Sequence, residues 1–140
     1  MFDSGPLLPA IAGSIAIPGL VKPVRMGGRL LVDGGAVNPL PFEYLRDRAQ
    51  VLMAVDVTGV RMRPRARSPS RFDTMFGTLQ IMQAAIVAAK LKVDRPEILV
   101  RPPVDSFRVL DFLKASAILT AANSLKDELK RELDRHLSLA

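Results

Sequence analysis

With 140 residues, 49% of them hydrophobic, and a mean hydropathy of +0.20, the chain is long and apolar enough to bury a sizeable core, which excludes a disordered tail. It has no cysteine, so disulfides and thiolate metal sites are excluded and nothing in the composition calls for secretion. The net charge of +6 is local: Arg61, Arg63, Arg65, Arg67 and Arg71 crowd one short stretch, which describes a basic exposed loop over 60–70 and not a basic binding face.

In chain order, Phe2-Asp3-Ser4-Gly5 reads as the end of one unit, and a helix begins near Pro6 or Leu7. Leu7, Ile11 and Ile15 have helical spacing and Pro18 closes the run. Ala10, Ala12, Gly13, Ser14 and Ala16 are small, as a helix packed closely on a neighbour requires. The apolar run from Pro6 to Leu20 has no basic leader and is too short and too interrupted to span a bilayer. Val21 to Asp33 reads as a hairpin, with Gly27-Gly28 supplying a two-residue turn that needs positive φ.

That hairpin delivers the stretch around which the rest is organised, Leu30-Leu31-Val32-Asp33-Gly34-Gly35-Ala36-Val37-Asn38-Pro39-Leu40-Pro41. Leu30 to Val32 read as a short buried strand with an acid at its exit. Gly34 and Gly35 have access to backbone angles closed to other residues and leave room for a group to approach the acid. In open α/β sheets ligands sit outside the carboxyl ends of strands.

Pro41 to Arg48 suits a short helix with Phe42 and Leu45 inward. Val51 to Val57 is a near-continuous apolar run, expected as a strand buried on both faces of a parallel sheet. Strand, short helix, strand is the βαβ pattern, with a right-handed crossover. After the proline- and arginine-rich loop, Ser70 with Asp73 forms a capping box for a helix to about Lys92, with Phe72, Met75, Phe76, Leu79, Met82, Ile86 and Ala89 on one face. Ile98 to Val100 is another short strand, closed by Pro102-Pro103. Asp111 starts the last helix, striped by Ile118, Ala122, Leu125, Leu129, Leu133 and Leu137 and charged on its other side.

On its tripeptide alone, Asp33 is accounted for as a turn residue that caps the next helix. A strand, an acid, two glycines and then Asn-Pro-Leu-Pro is more than a turn needs, and points to chemistry. Asp56, also near a strand end, has no second catalytic group nearby and reads as structural. His136, the single histidine, reads as a solvated helix residue. One histidine without cysteine or an acidic cluster leaves too few metal ligands, and no cofactor is called for. No G-x-S-x-G elbow, phosphate loop or dinucleotide fingerprint occurs. Ser14 lies within a helix and does not read as a nucleophile. The arginine loop suits an anionic lipid or nucleic acid, but without interleaved aromatics or a recognition helix nucleic acid is not expected.

Several segments, in order over nearly the whole chain, resemble the C-terminal half of a bacterial patatin-like phospholipase. Ala10 to Leu20 (AIAGSIAIPGL) is similar to the family's helix of small residues ending in proline. Arg29 to Pro41 (RLLVDGGAVNPLP) resembles its strand with the Asp-Gly-Gly box. Val51 to Val57 resembles the next core strand, and Ile98 to Phe112 (ILVRPPVDSFRVLDF) the closing segment.

The resemblance implies a three-layer α/β/α fold, of which residues 1–140 are the C-terminal part of a single domain with no second domain. The front strands, oxyanion loop and nucleophile elbow are absent from it. It implies a serine acyl-hydrolase with a Ser-Asp dyad, Asp33 taking the serine proton and Gly34 and Gly35 shaping its turn. It also implies a lipid or acyl-ester substrate, a cytoplasmic location with transient membrane-surface contact, and near inertness of the chain alone. The absence of front strands leads us to expect exposed apolar edges and homo-oligomers. The alternative is a non-catalytic interaction or regulatory module.

Overall fold

The computed structural model describes residues 4–58, 70–107 and 112–138. The chain divides into two compact units, Met1–Pro39 and Leu40–Ala140. The expected helix start at Asp111 and the arginines from Arg61 to Arg67 lie outside the described residues.

The first unit is a helix on a hairpin: α1 (Leu7–Ser14), β1 (Val24–Met26) and β2 (Arg29–Leu31). The strands are antiparallel, with Val24 opposite Leu31 and Met26 opposite Arg29. Gly27 (φ 56°) and Gly28 (φ 73°) both take the left-handed conformation that the tight turn demands, as the sequence anticipates. The packed side of α1 is its small-residue side. Gly13 and Ala16 are buried, whereas Leu7, Leu8, Ile11 and Ile15 are exposed. A Cβ on Gly13 would come within 3.2 Å of the Leu31 side chain, so the missing side chain is what lets helix and strand meet.

β2 departs from expectation. Among the described residues its one strand neighbour is β1, and Leu30 and Val32 are 61% and 44% exposed, so it is not a buried strand. A two-stranded ribbon covers its residues on one face at most.

The second unit holds the parallel pair β3 (Met53–Val55) and β4 (Ile98–Val100), joined by the crossover helix α2 (Arg71–Val93). The βαβ unit is therefore β3–α2–β4; the expected pairing of Leu30–Val32 through a short helix with Val51–Val57 does not form, and Phe42–Arg48 is a 3-10 helix. Burial along β3 alternates: Leu52, Ala54 and Asp56 point in while Met53, Val55 and Val57 are exposed. One face of the strand is covered, not two: among the described residues the sheet has two strands, and Val87 and Leu91 of α2 cluster with the inward Leu52 and Ala54.

The core comprises Leu40, Phe42, Leu52, Ala54, Val87 and Leu91, with Leu99 packed on it. Phe42 is inward as expected, whereas Leu45 is 48% exposed. The Ser70–Asp73 capping box is present. The expected apolar face of α2 is covered in part: Phe76, Leu79 and Ile86 are half-buried, Phe72, Met75, Met82 and Ala89 are exposed, and the fully buried residues are Val87 and Leu91.

Polar contacts fasten the rim. Lys90 Nζ donates to the Leu40 carbonyl at 2.7 Å, pairs with Glu43 and lies 5.0 Å from the centre of the Phe42 ring. Arg46 bridges Asp94 (2.8 Å) and Glu97 (2.6 Å), and the Leu52 amide donates to Glu97 at 2.8 Å. Glu97's own backbone amide, then that of Leu52, then Arg46, hold its carboxyl below the usual range against the opposing effect of burial. These side chains are partly solvated, so the pairs specify geometry more than they stabilise. The C-terminal stretch is α3 (Ala115–Ala122) and α4 (Lys126–Leu137), joined by a 3-10 turn at Asn123–Leu125. Its expected stripe is half-buried from Ile118 to Leu133, and Leu137 is exposed.

Candidate active site

Asp33 lies two residues past the end of β2 and caps the 3-10 turn Gly34–Ala36. Its backbone amide donates to the Ala16 carbonyl at 3.0 Å, which ties the acid to the segment after α1. Its Oδ1 accepts from the Gly35 amide at 2.8 Å. Oδ2 accepts no hydrogen bond from any described residue, and the side chain is half-buried. One oxygen is thus fixed and the other is left for a further donor. Such an arrangement orients a carboxylate without using up its capacity to accept a proton.

The two glycines act differently from expectation. Neither has positive φ; both sit inside the 3-10 turn. A Cβ built on Gly34 would meet nothing within 4 Å, so the fold of the turn does not require glycine at that position. Ser14, the last residue of α1, is exposed and makes no hydrogen bond to Asp33.

Asp56 is in the opposite condition. It is 8% exposed, and both of its oxygens are engaged. Oδ1 accepts from the Thr58 amide (3.0 Å) and hydroxyl (2.6 Å), and Oδ2 from Arg101 Nε (3.0 Å). Burial raises its pKa, but the Thr58 bonds and Arg101 outweigh that and hold the carboxyl below its ordinary value. Asp56 borders a cavity of about 450 Å³ that Ala84, Val87, Ala88 and Pro102 also line. With both oxygens saturated, it stabilises the end of β3 and is not a base in waiting, in keeping with the structural reading from sequence.

Arg101 was not singled out from sequence. The signal is the parallel register: Val55 opposite Val100 sets the next residues, Asp56 and Arg101, side by side. His136 lies in the last turn of α4, half-buried.

Asp33 thus stands near a strand exit with one oxygen tethered and one open. Residues 1–46 match the model of the patatin-like phospholipase family. Lysophospholipase NTE1 of Debaryomyces hansenii is 30% identical over 85% of this chain and 9% of its own length. An uncharacterized NTE family protein of Mycobacterium bovis is 44% identical over 45% of this chain and 18% of its own length. Lysophospholipase NTE1 of Yarrowia lipolytica is 27% identical over 88% of this chain and 10% of its own length. The chain belongs to the patatin-like phospholipases and carries part of that α/β fold. It spans between 9% and 18% of the length of these relatives.

Proposed function

We propose that this chain supplies the base of a lipid acyl-ester hydrolase, with Asp33 as the proton acceptor of a Ser-Asp dyad whose serine comes from sequence outside residues 1–140. The observation that carries this reading is the open Oδ2 of a carboxylate whose other oxygen is pinned by the Gly35 amide. A serine hydroxyl is a weak nucleophile until a hydrogen-bonded base takes its proton. Oδ2 accepts that proton as the serine oxygen bonds to the acyl carbon. It then returns it to the departing alkoxide, leaving an acyl-enzyme that water cleaves by the same route.

The family match and the lysophospholipase relatives support a lipid ester as substrate. Labelling with a fluorophosphonate probe, read by intact mass, tests the reading. The expected result is no adduct on the chain alone and a stoichiometric adduct on the serine of an added upstream half. A stoichiometric adduct on Ser14, or on any serine of the chain alone, contradicts it.

A second reading, a non-catalytic module that associates with itself, is favoured by the exposure of Leu7 (70%), Leu8 (79%), Ile11 (47%) and Ile15 (60%). Sedimentation of wild type and Leu8→Glu tests it. A monomer in both cases counts against it.

A further inference from the structure

Gly13 is buried near the end of α1, and its backbone does not account for its being glycine. Its φ is not positive, and inside a helix glycine is less favourable than alanine. Contact does account for it. A Cβ there would lie 3.2 Å from both Cβ and Cδ1 of Leu31, the last residue of β2. Cδ1 can turn away about the side-chain torsions. The Leu31 Cβ is fixed to the strand backbone, so relieving its approach means moving strand or helix by a few tenths of an ångström. Ala16 belongs to the same junction. Its amide donates to the Gly13 carbonyl at 3.2 Å, it is fully buried, and its carbonyl accepts from the Asp33 amide at 3.0 Å.

We propose that Gly13 is a positioning residue for Asp33. Its contact with Leu31 sets how closely α1 approaches β2, and that separation sets, through the Ala16–Asp33 bond, where the carboxylate stands. The Gly35 bond fixes the direction of the carboxyl but not its place relative to α1. Rates fall steeply when a reacting group is displaced on this scale. The consequence for turnover rests on the hydrolase reading; the consequence for structure rests on the packing of the first unit alone.

Gly13→Ala in the full chain is the test, with Ser14→Ala as control because Ser14 is the exposed next residue. Amide hydrogen exchange read by NMR should be about tenfold faster at Asp33 in Gly13→Ala. It should be unaltered at Asp56, whose amide donates to the Val100 carbonyl in the second unit. The urea midpoint should not fall, since alanine favours the helix. Combined with the upstream half of a patatin-like relative, Gly13→Ala should lower kcat for a lysophospholipid by about tenfold with KM unchanged. Ser14→Ala should change none of these. A folded Gly13→Ala whose Asp33 amide exchanges as in wild type overturns the proposal. So does an unchanged kcat in an assembly that Asp33→Asn inactivates, and so does faster exchange at Asp33 and Asp56 alike, which marks general loosening. Should Gly13→Ala fail to fold, its combination with Leu31→Ala carries the same expectations and the same refutations, because it removes the overlap with Cδ1 and keeps the one with Cβ. Hydrolysis retained with Asp33→Asn defeats the base assignment instead, and leaves the exchange result to judge the packing.

Discussion

Asp33 and Asp56 each follow a short apolar strand, and what surrounds them separates their roles. Asp56 is buried, with three donors on its two oxygens, so its charge is consumed in holding the end of β3 to the end of β4. Asp33 is half-buried and has one donor on one oxygen. A proton acceptor needs unused acceptor capacity at a fixed position, and on that criterion the proposed role falls to Asp33, whereas depth alone would favour Asp56.

The sharpest way to break this contrast is to neutralise each acid. Asp33→Asn keeps an acceptor for the Gly35 amide, so the unfolding free energy should change by less than about 1 kcal/mol. The rate of ester cleavage in an assembled hydrolase should fall by about 10⁴-fold. Asp56→Ala should do the reverse in kind. It leaves the Thr58 and Arg101 donors without their acceptor and should cost about 2 kcal/mol in urea unfolding, a figure kept low because the Arg101 side chain is 60% exposed.

Acid should reveal Asp56 as well. Its folded pKa lies below the unfolded value, so its contribution to stability is complete above the ordinary carboxylate range. It is lost as pH falls below about 4 towards the folded pKa. Urea midpoints taken down an acid series should show this decline, and Asp56→Asn should flatten it. The smallest effect belongs to Gly34→Ala. The added methyl meets nothing within 4 Å and the residue has no positive φ, so stability should stay within about 0.5 kcal/mol. If Gly34 keeps the approach to Asp33 open, turnover in the assembled enzyme should fall several-fold while the unfolding midpoint stays put.

Local chemistry was the legible part of this fold. Gly27-Gly28 specifies its hairpin and Ser70 with Asp73 its helix start, because each is decided by residues within a few positions. The strands at Met53–Val55 and Ile98–Val100 were readable as apolar runs between breakers. Which faces are covered was not. α1 has large residues on one side and small ones on the other, and close packing through Gly13 decides for the small side. α2 carries apolar residues nearly all round, so its periodicity could not single out Val87 and Leu91 over Phe72, Met75 and Met82. For Asp33, its place after a short strand could be read from the sequence, but not its geometry. The Asp-Gly-Gly box suggested left-handed glycines, and the chain forms a 3-10 turn whose second amide anchors the acid. Arg101 was invisible because its meaning comes from a neighbouring strand.

Reconstitution measures the central claim directly: the chain, wild type or Asp33→Asn, is combined with the upstream half of a patatin-like relative, and release of fatty acid from a lysophospholipid is followed. The expected result is hydrolysis when the wild-type chain and its complement are both present, and a loss of about 10⁴-fold with Asp33→Asn. Hydrolysis that survives Asp33→Asn would contradict the assignment of Asp33 as the base.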